Sequence, residues 1–273
     1  MPSELPASAL YSSPSLGRLW QKVHLACSPF ILRRSVRKLY ERPIPILRRH
    51  LAGIPYHWIA LGCADGQKES LLAGKLPPPA SFHAADTNLS LARRAAARLK
   101  GTRKSCGRIN LNAQLPLFHQ PFSQRRLFTL FGVLPNLPPF PLLHRLSQTM
   151  RKGDLLLLSA NLAPGESSLA GARKVLPQYD NPLTRQWLES AVRGFRPHLS
   201  PGRLVFGVFP DPRQKSLARI EARWISGRRV KVVLASRRPT PRQVEAWIQR
   251  ARLRKIGRFL EPRQEEGIWL VTR

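Results

Sequence analysis

Gly62, Gly66 and Asp86 are the residues whose types and spacing point to chemistry, and the two glycines lie within YHWIALGCADGQK, residues 56–68. Trp58, Ile59, Ala60 and Leu61 form a short apolar run that ends abruptly in Gly62. Such a run, bounded by glycines and followed by a helix-like segment, predicts a buried parallel strand turning into a helix. Glycine at that turn lets the backbone come close to a ligand, because no Cβ intervenes. Asp86 ends a second apolar segment, SFHAAD, 20 positions after Gly66 (86 minus 66). In a first doubly wound unit this is where a carboxylate accepts hydrogen bonds from a ribose. Turn and acid together predict a nucleoside-bearing cofactor. The turn lacks the G-x-G-x-x-G spacing, which argues against a dehydrogenase.

The elements that must position these residues alternate along the chain. Strand 56–61 leads to helix 67–75, with Leu71 and Leu72 facing inward, and PPP at 77–79 precedes a strand at 81–85. LSLARRAAARLK (89–100) predicts a strong helix with Leu91, Ala95 and Leu99 on one stripe and arginines on its solvated face. Further strands are expected near Gly107–Leu111, at 126–134 and at 153–162, the last two separated by helix 141–151. GDLLLLSANL reads as a strand covered on both faces. The alternation argues for an α/β parallel sheet with helices on both faces.

Residues 1–52 read as an N-terminal arm and helical lead-in, interrupted by Pro29, Pro43 and Pro45. Residues 53–162 form the expected Rossmann-like core. Residues 163–240 change rhythm: a helical stretch at 166–196, then extended segments at 203–209 and 218–236 with a Ser-Gly hairpin turn at 226–227. This predicts an inserted α+β substrate subdomain. Residues 241–273 supply a helix from Pro241 and a terminal hairpin that completes the core.

At 273 residues and 42% hydrophobic, the chain is long and apolar enough for a sizeable core. No run approaches a membrane span and no signal-peptide pattern opens the sequence, so a cytoplasmic, non-membrane protein is expected. Cys27, Cys63 and Cys106 show no CxxC spacing, which indicates neither a disulfide framework nor a zinc site. Lys and Arg number 46 against 15 acids, a net charge of +31. That field would attract nucleic acid non-specifically, but the basic residues are spread along the chain and no aromatics interleave with them as a stacking platform. A solvated arginine-rich surface is the simpler reading. His57, His83 and His119 lack convincing partners in sequence and read as structural.

In the order of its landmarks the chain resembles the histidine-specific, S-adenosylmethionine-dependent methyltransferase family, which contains the histidine Nα-methyltransferase of ergothioneine biosynthesis. The landmarks are LGCADGQKESLL, AADTNLSLARRAAARL, LFGVLPNLPP, SSLAGARKVLPQYDNPLTRQWL and VVLASRRPTPRQVEAWIQRARL. The likeness covers about residues 10–273 and implies a class I methyltransferase sheet with S-adenosylmethionine as cofactor. It implies cofactor contacts at Gly62, Lys68 and Asp86, beside the turn glycine Gly66, and around Asn110 and Leu111, where the family has an acid before Phe; an exposed first-turn lysine is the alternative for Lys68. An Asn carbonyl can accept from an adenine amino group; a plain turn residue is the alternative. The same likeness implies acceptor contacts at Asn136, Tyr179 and Ser236, whose amide and hydroxyls can hold a zwitterion without adding charge. The alternatives are a turn residue beside Pro135 and Pro138 for Asn136, and a half-buried cap for Tyr179.

Two departures bear on the substrate. Leu234 stands where the family's glutamate meets the imidazole, and Phe30-Ile31-Leu32-Arg33-Arg34 stands for its Tyr-x-Thr-Arg element. Losing a buried acceptor for a polar ring costs orders of magnitude in discrimination. The expectation is therefore methyl transfer to an amine of a small molecule, histidine or a related amino acid. The alternative is a catalytically altered cofactor-binding or polyanion-binding protein on the same fold.

Overall fold

The computed structural model describes residues 3–11, 13–113, 115, 124–195 and 201–273; His119 lies outside them. Contacts divide the chain into two compact units. One comprises Met1–Arg34, Asn161–Thr240 and Arg263–Glu265, the other Ser35–Ala160, Pro241–Pro262 and Glu266–Arg273. Residues 1–52 thus contribute to both.

The first unit opens with β1 (Ser3–Glu4), α1 (Pro14–Cys27) and α2 (Pro29–Leu32). Ser13 caps α1 by accepting the Leu16 N–H at 3.2 Å, and Pro14 occupies the first turn, where a missing N–H costs nothing.

The second unit begins near α3 (Arg34–Glu41) and continues through α4 (Ile44–Leu51), β2 (Tyr56–Leu61), α5 (Gln67–Ala73) and β3 (Ser81–Asp86). Next come α6 (Leu89–Arg98), β4 (Arg103–Arg108), β5 (Arg125–Leu130), α7 (Pro139–Thr149) and β6 (Leu155–Asn161). Asn88 caps α6 through its side-chain oxygen, which accepts from Ser90 and Leu91. Leu91, Ala92, Ala95 and Leu99 are buried, as the alanine-rich stripe predicts. Every residue of β2 is buried, and β6 is buried through Ala160.

The chain then returns to the first unit with α8 (Ser168–Val175), α9 (Pro182–Phe195), β7 (Arg203–Asp211), β8 (Gln214–Ser226) and β9 (Arg229–Arg238). Strands β7, β8 and β9 pair antiparallel, and β1 adds a parallel edge on β9. Leu16, Trp187, Leu188, Val192, Leu204 and Trp224 share one core of this unit. The hairpin turn falls one residue later than expected: Ser226 pairs with Arg229, and Gly227 takes the first loop position at φ +55°.

The second unit is completed by α10 (Pro241–Arg250), β10 (Arg254–Leu260) and β11 (Glu266–Thr272). Its seven strands lie in the order β10-β11-β6-β5-β2-β3-β4. Strands β2 to β6 are mutually parallel, and β10 pairs antiparallel with β11. The fold is therefore α/β with a mostly parallel sheet, as expected. The third strand of the core is a correction: it spans Arg103–Arg108, not Gly107–Leu111. An edge strand can be polar, so RKSCGR carries no apolar signal; Ile109 and Leu111, which supplied one, are buried in the turn beyond.

Candidate functional site

In the second unit β2 pairs on one side with β3 and on the other with β5, so the strand order reverses between β2 and β5. Ligands of open α/β sheets bind outside the carboxyl ends of the strands at such a reversal. The segment Gly62–Gly66 leaves β2 at that point, and Phe131–Val133 leaves β5 there. Gly62 stands at φ +62°, its N–H bonded to Ala85 C=O at 2.7 Å, and a Cβ there would lie 2.4 Å from Val133 Cγ2. Only glycine fits this close approach of the two loops.

Asp86 ends β3 beside the turn and is buried. Its Oδ2 accepts the Ala64 N–H at 2.9 Å, and its Oδ1 accepts the Asn88 N–H at 2.9 Å. Burial pushes its carboxyl above the usual range, against these same hydrogen bonds, which lower it. The Thr87 hydroxyl adds a third, longer contact to Oδ1 at 3.4 Å.

Gly66 has a different task from close approach to a ligand. At φ +77° it caps α5, and a Cβ there would sit 2.8 Å from both Cα and Cβ of Ala95 on α6. The glycine lets the turn pack on that helix. Asp65 fastens the same junction: Arg98 donates from Nε to its carbonyl at 2.7 Å and from Nη2 to its Oδ2 at 2.9 Å.

Lys68, on α5, directs Nζ to 3.7 Å from Glu266 Oε1 and over the Tyr40 ring at 4.8 Å. A Cβ built on Gly132 would be 3.6 Å from the same Nζ. The Tyr40 hydroxyl donates to Glu266 and lies 3.0 Å from the Ser159 hydroxyl, which accepts the Gly132 N–H at 3.0 Å. Burial, then the Glu266 charge, raise the Tyr40 phenol well above its usual range. Next to this group, Trp58 Nε1 donates to Thr129 Oγ1 at 3.1 Å, which donates to the buried Glu69 at 3.2 Å. Burial pushes the Glu69 carboxyl up to about 7.

The adenine-side candidates divide. Asn110 is exposed, and its side-chain oxygen accepts the Asn112 N–H at 3.0 Å in a local turn. Leu111 is buried, with Cδ1 3.6 Å from a Cβ built on Gly62. Asn136 lies half-buried in the short turn Leu134–Asn136, and its amide reaches Gly132 C=O at 3.5 Å.

In the other unit Tyr179 and Ser236 are joined, hydroxyl to hydroxyl, at 2.8 Å. Arg238 donates from Nη2 to the Tyr179 hydroxyl at 2.6 Å and from Nη1 to Leu162 C=O at 3.3 Å. Glu265 accepts from Arg33 at 2.6 Å and from Gln178 at 2.8 Å. Burial raises its carboxyl, but those two donors outweigh it and hold it below its usual range. Leu234 lies among the apolar core residues of this unit, and Phe30 is buried.

Sequence reasoning missed Tyr40, Glu69, Thr129, Ser159 and Glu266. Tyr40 looks like one more apolar position of a helix, and a lone acid in a helix or strand gives no sign of burial. His57 sits at the amino end of β2, opposite the glycine turn, bonded to Ser81 and Gln124. Among the described residues no group of His, Cys, Asp and Glu could hold a metal ion, and no helix is long and apolar enough to cross a membrane.

No protein-family model and no curated protein sequence matches the chain. Solved structures do match its fold. An S-adenosylmethionine-dependent methyltransferase from Clostridium acetobutylicum superposes with a TM-score of 0.53 at 13% identity, covering 93% of this chain and 98% of its own. The PH0226 protein from Pyrococcus horikoshii gives 0.52 at 12% identity, covering 93% and 97%. A putative methyltransferase from Thermobifida fusca gives 0.52 at 12% identity, covering 100% and 95%. The fold is that of class I methyltransferases.

Proposed function

We propose that the protein is an S-adenosylmethionine-dependent methyltransferase that acts on an amine of a small molecule. The observation that carries this reading is the bond between the glycine turn and Asp86 at the reversal of strand order.

In this reading the turn that Gly62 closes against Val133 borders the cofactor, Asp86 accepts from the ribose, and the Lys68–Glu266 pair meets the methionyl carboxylate and amine. Gly66 acts by packing the turn on α6. Asn110 and Leu111 border the adenine. When bound, S-adenosylmethionine supplies a methyl group already activated on sulfur. The protein's share is to align the acceptor in line with that methyl group and to exclude water. The acceptor nitrogen must be deprotonated so that its lone pair is free. By the resemblance to the histidine-specific family, Asn136, Tyr179 and Ser236 are assigned to the acceptor. Leu234 removes the carboxylate that would meet an imidazole, which favours a related amine over histidine.

Calorimetric titration with S-adenosylmethionine tests the reading, on the wild type and on Asp86→Ala. Binding by the wild type, weakened at least tenfold in a variant shown to be folded by circular dichroism, is the expected result. No binding by the folded wild type overturns it. A screen of amine acceptors, histidine included, then tests the substrate class.

A further inference from the structure

The net charge of +31 understates how basic the surface is, because the acids are largely inside. More than half of the 15 carboxylates are buried, among them Asp65, Glu69, Asp154, Asp211 and Glu221. Several neutralise buried partners: Asp154 holds Arg126 at 2.5 Å, Glu221 holds Arg219 at 2.9 Å and Asp211 holds Arg237 at 2.8 Å. Of the 46 basic residues, only Arg126, Arg219, Arg237 and Arg238 are buried among those described.

The imbalance is marked at one edge of the seven-stranded sheet. From Thr87 to Gly153 the sequence contains no Asp or Glu. Strand β4 ends the sheet there, and α6 packs on β3 and β4. Arg93, Arg94 and Lys100, on and just after α6, and Arg103, Lys104 and Arg108 on β4 are all exposed. Guarding a strand edge accounts for charges on the strand itself; it does not account for the cations of α6. Solubility needs a net charge of about 2–8 for a small domain, and a larger excess destabilises the compact state by self-repulsion.

We propose that the α6–β4 edge binds nucleic acid through its phosphodiester backbone. Arginine matches phosphate geometry with its planar fork, and most of these side chains are arginines. Neither LSLARRAAAR nor RKSCGR carries an aromatic residue, so these two elements supply no stacking platform and read charge without sequence. A membrane surface fits poorly, because among the described residues the exposed large apolar side chains, Leu25, Leu32 and Ile54, all lie on other elements. This inference rests on charge and exposure alone and does not depend on methyl transfer.

Fluorescence anisotropy of the full chain with a short labelled oligonucleotide of mixed sequence tests it, in parallel as RNA and as DNA, from about 50 to 200 mM salt. The two nucleic acids are expected to bind within about threefold of each other, with affinity falling steeply with salt. Reversal of Arg93, Lys100, Arg103 and Lys104 to Glu is expected to weaken binding at least tenfold and to reduce the salt slope by about 3. The control reverses Arg213, Lys215, Arg228 and Arg229, which are exposed on the four-stranded sheet, and is expected to cost under threefold. Equal losses in both variants, each verified as folded, would make binding a property of total charge and overturn the assignment. Tighter binding to phosphatidylserine vesicles than to either nucleic acid, at matched phosphate, would overturn the partner.

Discussion

Ala64, held at φ +47°, donates its backbone N–H to Asp86 Oδ2 at 2.9 Å. The carboxylate at the end of β3 therefore fastens the turn that leaves β2. Asp86→Ala leaves two backbone donors, those of Ala64 and Asn88, without their acceptor. Leaving a buried donor unsatisfied costs about 1–3 kcal/mol, so the variant should melt lower, by about 2–4 °C for each kcal/mol lost. Asp86→Asn keeps one carbonyl acceptor and should fall between. A melting curve of Asp86→Ala that overlays the wild type would show that Asp86 does not fasten the turn.

Ala64 itself is a strained position. A residue with a Cβ loses about 1–2 kcal/mol in the left-handed region, a loss that glycine escapes. Ala64→Gly should stabilise the protein by about 0.5–1 kcal/mol, the gain being reduced by glycine's extra freedom in the unfolded chain. Urea denaturation checks this. A lower midpoint with an unchanged slope would mean that the strain is already relieved elsewhere in the turn.

Glu69 predicts a pH dependence. Its carboxyl is raised by burial to about 7 from 4.5. Between these values the unfolded chain has released the proton while the folded chain still holds it, so this group makes stability fall as pH rises. Its full effect is about 3 kcal/mol, complete above pH 7. Glu69→Gln keeps an acceptor for Thr129 and removes the ionisation. The stability difference between variant and wild type should grow in the variant's favour from pH 4.5 to 7.5. A constant difference across that window would place the Glu69 titration outside it.

What was legible in the sequence is what periodicity and backbone chemistry encode locally. Trp58–Leu61 followed by Gly62 gave β2 and its turn, and the alanine-rich stripe of α6 gave that helix. The position of Asp86 at a strand end was legible because an apolar run stops there. Gly66 shows the limit. Its type was noticed, but its reason is Ala95 across a helix packing contact, which no local pattern contains. Strand β4 was displaced because an edge strand needs no apolar face. Tyr40, Ser159 and Glu266 come from three distant segments, and their meeting at Lys68 depends on the sheet order β6-β11. Partnership of that kind is set by tertiary packing and leaves no spacing to read.

The Tyr179 hydroxyl supports a guanidinium rather than standing free. It accepts from Arg238 Nη2 at 2.6 Å and pairs with Ser236 at 2.8 Å. Arg238 is 3% exposed, and its Nε has no partner among the described residues. Its other nitrogen bond, to Leu162 C=O, is long at 3.3 Å. Tyr179→Phe therefore deletes the best acceptor of a buried cation, which should cost about 1.5–3 kcal/mol. Ser236→Ala removes a neutral bond and should cost about 1 kcal/mol. Because both hydroxyls belong to one network, the double variant should differ from the sum of the singles by at least about 0.5 kcal/mol. Chemical denaturation of the four proteins measures this directly. Strict additivity would mean that Tyr179 and Ser236 act independently, and that the hydroxyl pair does not hold Arg238.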